Sequence, residues 1–341
     1  MTTHSTRDPR RDCQEIARHL ATVVFPWDTT RALELALFRT FASARIGGLL
    51  HGTGEFEACT GKRYDDTDLI ISEIIENGFD SPRGARAIAR MNALHGRFRI
   101  ANEDFLYVLS TFVLEPIRWN QRFGWRCMTE SEKLAWFWFW RQVGERMLIR
   151  DLPGSHADCE RFSSAYEAAN FRFTTASQGV ALATRELFAG WFPVLLRPLV
   201  RRSIHALLDQ ALLTAFDLRP APRWLAWAAE RALRARASAL RWLPQRRRPK
   251  LRTQIPRADY PQGYRIESLG PPPPGSRDED RAADDDLRPA PALGRGNASD
   301  GLGSAYHEDG APISVCPFAD RRLKGGNDGQ GHGTDYRTRG E

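Results

Sequence analysis

The stretch Ser81-Pro82-Arg83-Gly84-Ala85-Arg86-Ala87-Ile88-Ala89-Arg90-Met91-Asn92-Ala93-Leu94-His95-Gly96-Arg97-Phe98 sets the reading of the whole chain. Ser81 is a good N-cap and Pro82 suits the first helical position. Ile88, Met91, His95 and Phe98 follow at spacings of three or four, which places them on one helix face. That face is apolar enough to point into a core, and it carries an imidazole. Two readings fit such a residue: an axial ligand to an iron porphyrin, or a packed core histidine.

The same helical grammar recurs on both sides. Asp65 or Asp66 can cap a helix through Leu69, Ile70, Ile74 and Ile75 that stops near Gly78. Asn102, with Glu103 and Asp104 in the first turn, opens another through Phe112 and Val113, whose pattern breaks near Pro116. Thr129-Glu130-Ser131-Glu132 reads as a capping box ahead of Leu134-Ala135-Trp136-Phe137-Trp138-Phe139-Trp140, which is apolar all round and suits core packing. Ser155 caps a helix through Phe162, Tyr166 and Phe173, with His156 in its first turn. Further helices run through Leu213 and from Pro222 to Leu243. Period-2 runs with hairpin turns are missing. The expected fold class is all-α.

Charge divides the 341 residues unevenly. Residues 1–196 hold 24 basic and 24 acidic residues, while 197–257 hold 15 basic and 3 acidic, a net of +12. The basic segment alternates arginines (Arg231, Arg234, Arg236, Arg241) with Leu233, Leu240, Trp242 and Leu243, and ends in Arg246-Arg247-Arg248. It suits a solvated helix face, peripheral contact with an anionic membrane or nucleic acid, in that order; no nucleic acid is expected as a partner. From Pro271 the chain is rich in Gly, Pro, Asp and Arg and poor in large apolar residues, a composition that does not offset its ordering entropy. The division expected is therefore an N-terminal extension over 1–24, one large helical domain over 25–270 and a disordered tail over 271–341.

Several chemistries are excluded. The five cysteines are odd in number and scattered, with no metal-ligand spacing and no sign of a disulfide framework. There is no nucleophile elbow of the GxSxG kind and no phosphate-binding glycine loop. The N-terminus does not read as a signal peptide, since Ile16 to Phe25 is interrupted by Arg18 and His19. No run reaches the ~18–20 apolar residues of a membrane span. Cytoplasmic location is the expectation, with membrane-peripheral contact through 197–257. His51 suits a helix end or loop, and neither it nor His156 nor His205 is assigned a role.

Several blocks together resemble the MpaB and rubber-oxygenase catalytic domain family. They are Ala89 to Phe98, Asn102 to Phe112, Glu115-Pro116-Ile117-Arg118-Trp119, Phe123-Gly124-Trp125-Arg126, Val143-Gly144-Glu145-Arg146-Met147, Asp151-Leu152-Pro153 and Tyr260-Pro261-Gln262-Gly263-Tyr264. They occur in the family's order across roughly residues 25–270 and look most like its MpaB-like branch, named for a fungal enzyme that oxidatively cleaves a prenyl side chain. The resemblance implies an all-α domain with globin-like helix packing around a haem pocket, haem b as cofactor, and His95 as the iron ligand. It also implies an Arg-x-x-x-Thr pair near the haem, matched here by Arg63 and Thr67. The chemistry implied is oxidative cleavage or oxygenation of an apolar substrate, an isoprenoid or prenylated compound being a candidate, with O2.

Two positions depart from the family pattern. A lysine that precedes the threonine in rubber-cleaving members is Asp66 here. The distance to a distal glutamate proposed for that branch falls on Gly47, with Glu55 and Glu57 as nearby alternatives. The rival reading is a non-catalytic helical module that binds an apolar ligand or a membrane, with His95 as a packing residue.

Overall fold

A computed structural model describes residues 7–271. These fall within one compact unit. The tail expected over 271–341 lies, from residue 272, outside the described residues. Thirteen α-helices are joined by short turns, and the described residues contain no β-strand. The all-α expectation holds.

The first helices are α1 (Cys13–His19), which runs into a π-helical turn (Leu20–Val24), α2 (Pro26–Ala42), α3 (Ala44–Gly52) and the single turn α4 (Glu55–Ala58). Next come α5 (Thr60–Asn77), α6 (Pro82–His95), α7 (Asn102–Phe123) and α8 (Glu130–Arg146). The chain continues through α9 (His156–Asn170), α10 (Thr175–Gly190), α11 (Arg197–Leu207), α12 (Gln210–Ala215) and α13 (Arg223–Trp242). A last segment, 250–269, has only short 3-10 turns and is called the strap below.

The main core forms where α1, α5, α6, α7 and α8 meet. The aromatic run of α8 lies in it: Trp136, Phe137, Phe139 and Trp140 are fully buried. Cys13, Ile16, Ala17 and Leu20 share that core, so the segment set apart as an extension over 1–24 supplies core residues from 13 onward. Ile266 and Leu269 close the core from the strap.

Three boundaries differ from the sequence expectation. The α5 helix begins at Thr60, so Asp65 and Asp66 are interior residues and not caps. Their carboxylates are spent on the strap: Asp65 pairs with Arg257, Asp66 with Lys62 and Tyr260, and Asp68 with Arg252 and Arg257. The α7 helix passes through Pro116 to Phe123. Proline lacks the N–H that would bond the carbonyl four residues back, and that carbonyl, Phe112 O, accepts the indole N–H of Trp136 instead at 3.0 Å. The helix capped by Ser155 stops at Asn170, before Phe173. The capping box at Thr129 forms as expected, with Glu132 N to Thr129 Oγ1 at 3.2 Å and Thr129 N to a Glu132 carboxylate oxygen at 2.8 Å.

Candidate active site

The site grows out of the α5–α6 hairpin. Ser81 caps α6 by accepting the Gly84 N–H at 3.0 Å, and Pro82 sits at the first turn. Gly78 ends α5 at φ +83°, a left-handed conformation that suits glycine. The two helices approach so closely there that a Cβ at Gly84 would stand 1.9 Å from the Gly78 carbonyl oxygen. A link this short returns α6 alongside α5. Arg63 lies fourteen residues before the end of α5 and His95 thirteen after the start of α6, so the hairpin brings the two to the same height.

Ile88 and Met91 are buried on the inner face of α6, as their spacing predicts. His95 occupies the last helical position. Phe98 lies beyond the helix end and is 40% exposed, so it is not part of that face. The His95 ring meets Phe105 edge-on at 5.3 Å. Burial first, and the Arg63 cation second, push its pKa down to about 4. The imidazole is therefore neutral near pH 7 and keeps a lone pair for a ligand. Its Nδ1 is buried with no hydrogen-bond partner. A buried polar atom left unpaired is costly, so it needs an explanation.

Arg63 is the second unusual residue. Burial holds its guanidinium below the ordinary range, against the pull of Asp66 and Glu55. No carboxylate forms an ion pair with it among the described residues. It donates through Nη1 to Thr67 Oγ1 and lies over the Phe56 ring at 5.3 Å. The Thr67 hydroxyl itself donates to the Arg63 carbonyl at 2.9 Å. Thr67 thus holds the guanidinium in place, and its proton is already engaged.

The remaining candidates separate. Glu57 is held at the surface by a hydrogen bond with His51, Nδ1 to Oε1 at 2.6 Å, whereas the charge of Glu55 reaches Arg63. Gly47 is closed to any side chain: a Cβ there would lie 2.6 Å from the Phe41 carbonyl oxygen and 2.3 Å from Ser177 Oγ. Asp66 faces Lys62 and Tyr260. His205 donates its Nδ1–H to the Arg219 carbonyl, 2.9 Å away, and is buried. His156 holds the first position of α9.

Sequence reasoning missed Glu34. It lies on α2 between Leu33 and Leu35, and its side chain lines a partly open pocket of about 50 Å3 with Tyr64, Thr67, Ile71 and Phe112. The Tyr64 hydroxyl donates to it at 2.8 Å and Arg31 at 2.6 Å, yet burial still pushes its pKa up to about 7. One signal was legible: a lone carboxylate inside the run Ala32-Leu33-Glu34-Leu35-Ala36-Leu37. Among the described residues no three His, Cys, Asp or Glu side chains gather to hold a bare metal ion.

Residues 48–242 match the family described as the catalytic domain of ER-bound oxygenase mpaB/B′ and rubber oxygenase. The chain belongs to this family. Among curated mpaB/rubber-oxygenase relatives, ER-bound oxygenase mpaB of Penicillium brevicompactum is 34% identical over 140 residues, covering 39% of this chain and 36% of the relative. ER-bound oxygenase mpaB of Penicillium roqueforti is 33% identical over 141 residues, covering 40% of this chain and 47% of the relative. The matched region thus spans between a third and a half of these relatives' length. Among the described residues no helix is long and apolar enough to cross a membrane.

Proposed function

We propose that the protein is a haem-dependent oxygenase acting on an apolar substrate, an isoprenoid or prenylated compound being the first class to test. The observation that carries this reading is the pairing of a neutral, partly orphaned imidazole at His95 with an unpaired buried guanidinium at Arg63. A single histidine does not hold a bare ion, but it would suffice for an iron whose remaining ligands come with a porphyrin. A haem carries carboxylates, and Arg63 is a buried cation with no carboxylate of its own. The residues present therefore fit haem b: His95 would hold the iron and Arg63 would neutralise a propionate. Bound haem would supply the activation of O2.

The chain's own residues have separate tasks. Burial keeps His95 unprotonated down to about pH 4, so its ligand lone pair persists across the physiological range. Thr67 orients Arg63 through two hydrogen bonds. Leu33 and Leu37 of α2 with Ile71 and Ile75 of α5 give the pocket beside Thr67 apolar walls. At about 50 Å3 that pocket holds roughly one or two waters, so an apolar substrate of isoprenoid size requires the α2–α5 contact to open.

The test is the visible spectrum of protein produced with haem supplied, beside His95→Ala and Arg63→Gln. A Soret band lost in His95→Ala and retained but weakened in Arg63→Gln is expected. Folded wild-type protein that takes up no haem refutes the reading and leaves a helical module that binds an apolar ligand.

A further inference from the structure

The surface that the oxygenase site does not use is the most apolar part of the exterior. Between α10 and α11 the chain exposes Trp191, Phe192, Val194, Leu195, Leu196 and Leu199, with Leu195 92% exposed. Single exposed apolar residues need no explanation, but a contiguous run of this size does. On α13, which packs against α11, Trp224, Trp227 and Trp242 are also exposed, Trp242 at 89%. At 100° per residue these three tryptophans share one helix face with Arg231, Arg234 and Arg241.

Cationic groups flank the apolar run. An open pocket of about 400 Å3 is lined by Arg185, Arg201, Arg202, Arg219 and His205, with Asp217 as its one carboxylate. Glu186 pairs with Arg185 and Arg201, whereas Arg202 and Arg219 have no carboxylate partner among the described residues. Part of the basic excess over 197–257, Arg202 and Arg219 with Arg231, Arg234 and Arg241, thus lies beside exposed tryptophan and leucine. Aromatic and aliphatic side chains interleaved with arginine match the two layers of a lipid interface: acyl boundary beneath, phosphate above.

The same surface reaches the pocket at Glu34 by one layer of side chains. Arg31 is sandwiched between Trp27 and Trp191, at 5.7 and 5.8 Å from their rings. Trp191 packs on Tyr64 at 5.5 Å, and Tyr64 lines the pocket beside Glu34 and Thr67. Arg236 of α13 stacks on Trp27 at 3.8 Å and pairs with Asp28 at 2.9 Å, tying α13 to the same rim.

We propose that the 191–202 segment and the outer face of α13 dock on an anionic membrane, with the arginine pocket receiving lipid phosphate and the Trp27–Arg31–Trp191 rim turned toward the bilayer. Charge complementarity selects this occupant. A second copy of the chain would set the same arginines, Arg202 and Arg219 without carboxylate partners among the described residues, against one another. The proposal does not depend on haem at His95.

The experiment is co-sedimentation of the full chain with vesicles of phosphatidylcholine alone and of phosphatidylcholine mixed with phosphatidylglycerol, at low and high salt. Pelleting with the anionic vesicles that salt weakens is expected. Val194→Ser/Leu195→Ser should lower vesicle affinity about tenfold, since two apolar side chains lose partial burial. Arg202→Gln/Arg219→Gln should cost about fivefold per arginine. All four positions are at the surface, so unchanged urea unfolding confirms that the variants fold. No pelleting with anionic vesicles overturns the proposal. Pelleting unaffected by both double variants overturns the assignment to this surface. A concentration-dependent dimer lost in the Val194→Ser/Leu195→Ser variant, without vesicle binding, gives the surface to a second copy instead.

Discussion

Glu34→Gln isolates one buried carboxyl whose titration falls in an accessible window. Glu34 is buried between α2 and α5, and burial outweighs the Arg31 cation and the Tyr64 hydroxyl to raise its pKa from 4.5 to about 7. The folded protein therefore keeps a proton that the unfolded chain releases above pH 4.5. Because the folded state binds more protons in this range, its stability falls as pH rises. The contribution is complete below about pH 4.5 and is lost as pH passes about 7. At about 1.4 kcal/mol per pH unit the full swing is roughly 3 kcal/mol. Glutamine keeps the shape and can still accept from Tyr64 and Arg31, but it does not titrate. Urea unfolding of both proteins from pH 4.5 to 8 measures the difference. Taking wild type minus variant cancels other groups that titrate nearby, such as Asp65, which burial raises to about 6. Wild type should lose about 3 kcal/mol relative to the variant across the window. A difference that stays flat within about 0.5 kcal/mol refutes the claim that Glu34 is protonated in the fold.

Other substitutions test the frame around the site. Gly84→Ala places a methyl against the Gly78 carbonyl and should destabilise by about 3 kcal/mol in chemical denaturation. Asp68→Ala removes the shared partner of Arg252 and Arg257; a loss of about 2–3 kcal/mol and faster proteolysis within 250–269 are expected. Trp136→Phe leaves the Phe112 carbonyl without its indole donor opposite Pro116. It should cost about 2 kcal/mol, read by thermal unfolding, whereas a neutral result would mean that α7 bends to recover the bond.

The sequence disclosed the helices because their signals are local. Ser81, Thr129 and Ser155 each cap the helix predicted for them. It did not disclose the continuity of α7, because the donor that replaces the missing proline N–H comes from Trp136, twenty residues away. Asp65 and Asp66 looked like caps for the same reason. Their true partners, Arg257 and Tyr260, are nearly two hundred residues downstream, and periodicity carries no information about them. His95, Arg63 and Thr67 were named through family resemblance and spacing; in the structure Arg63 hydrogen-bonds Thr67, and its charge acts on His95. Glu34 was hidden by its own neighbours, since one acid in an apolar run reads as the wet side of a helix until the packing of α2 is known.

The strap gives the domain a border different from its recognisable stretch. The family match covers 48–242, yet Ile16 and Leu20 lie before it and Ile266 and Leu269 after it, all in one core. During synthesis α5 emerges long before Arg252, Arg257 and Tyr260 are available to neutralise its row of carboxylates. Until then, Asp65, Asp68 and Glu76, on the helix that carries Arg63, lack the strap groups that engage them in the fold. It follows that a fragment trimmed to the recognisable boundaries would lack part of its core and the strap partners of α5, and that expression should span at least residues 7–271.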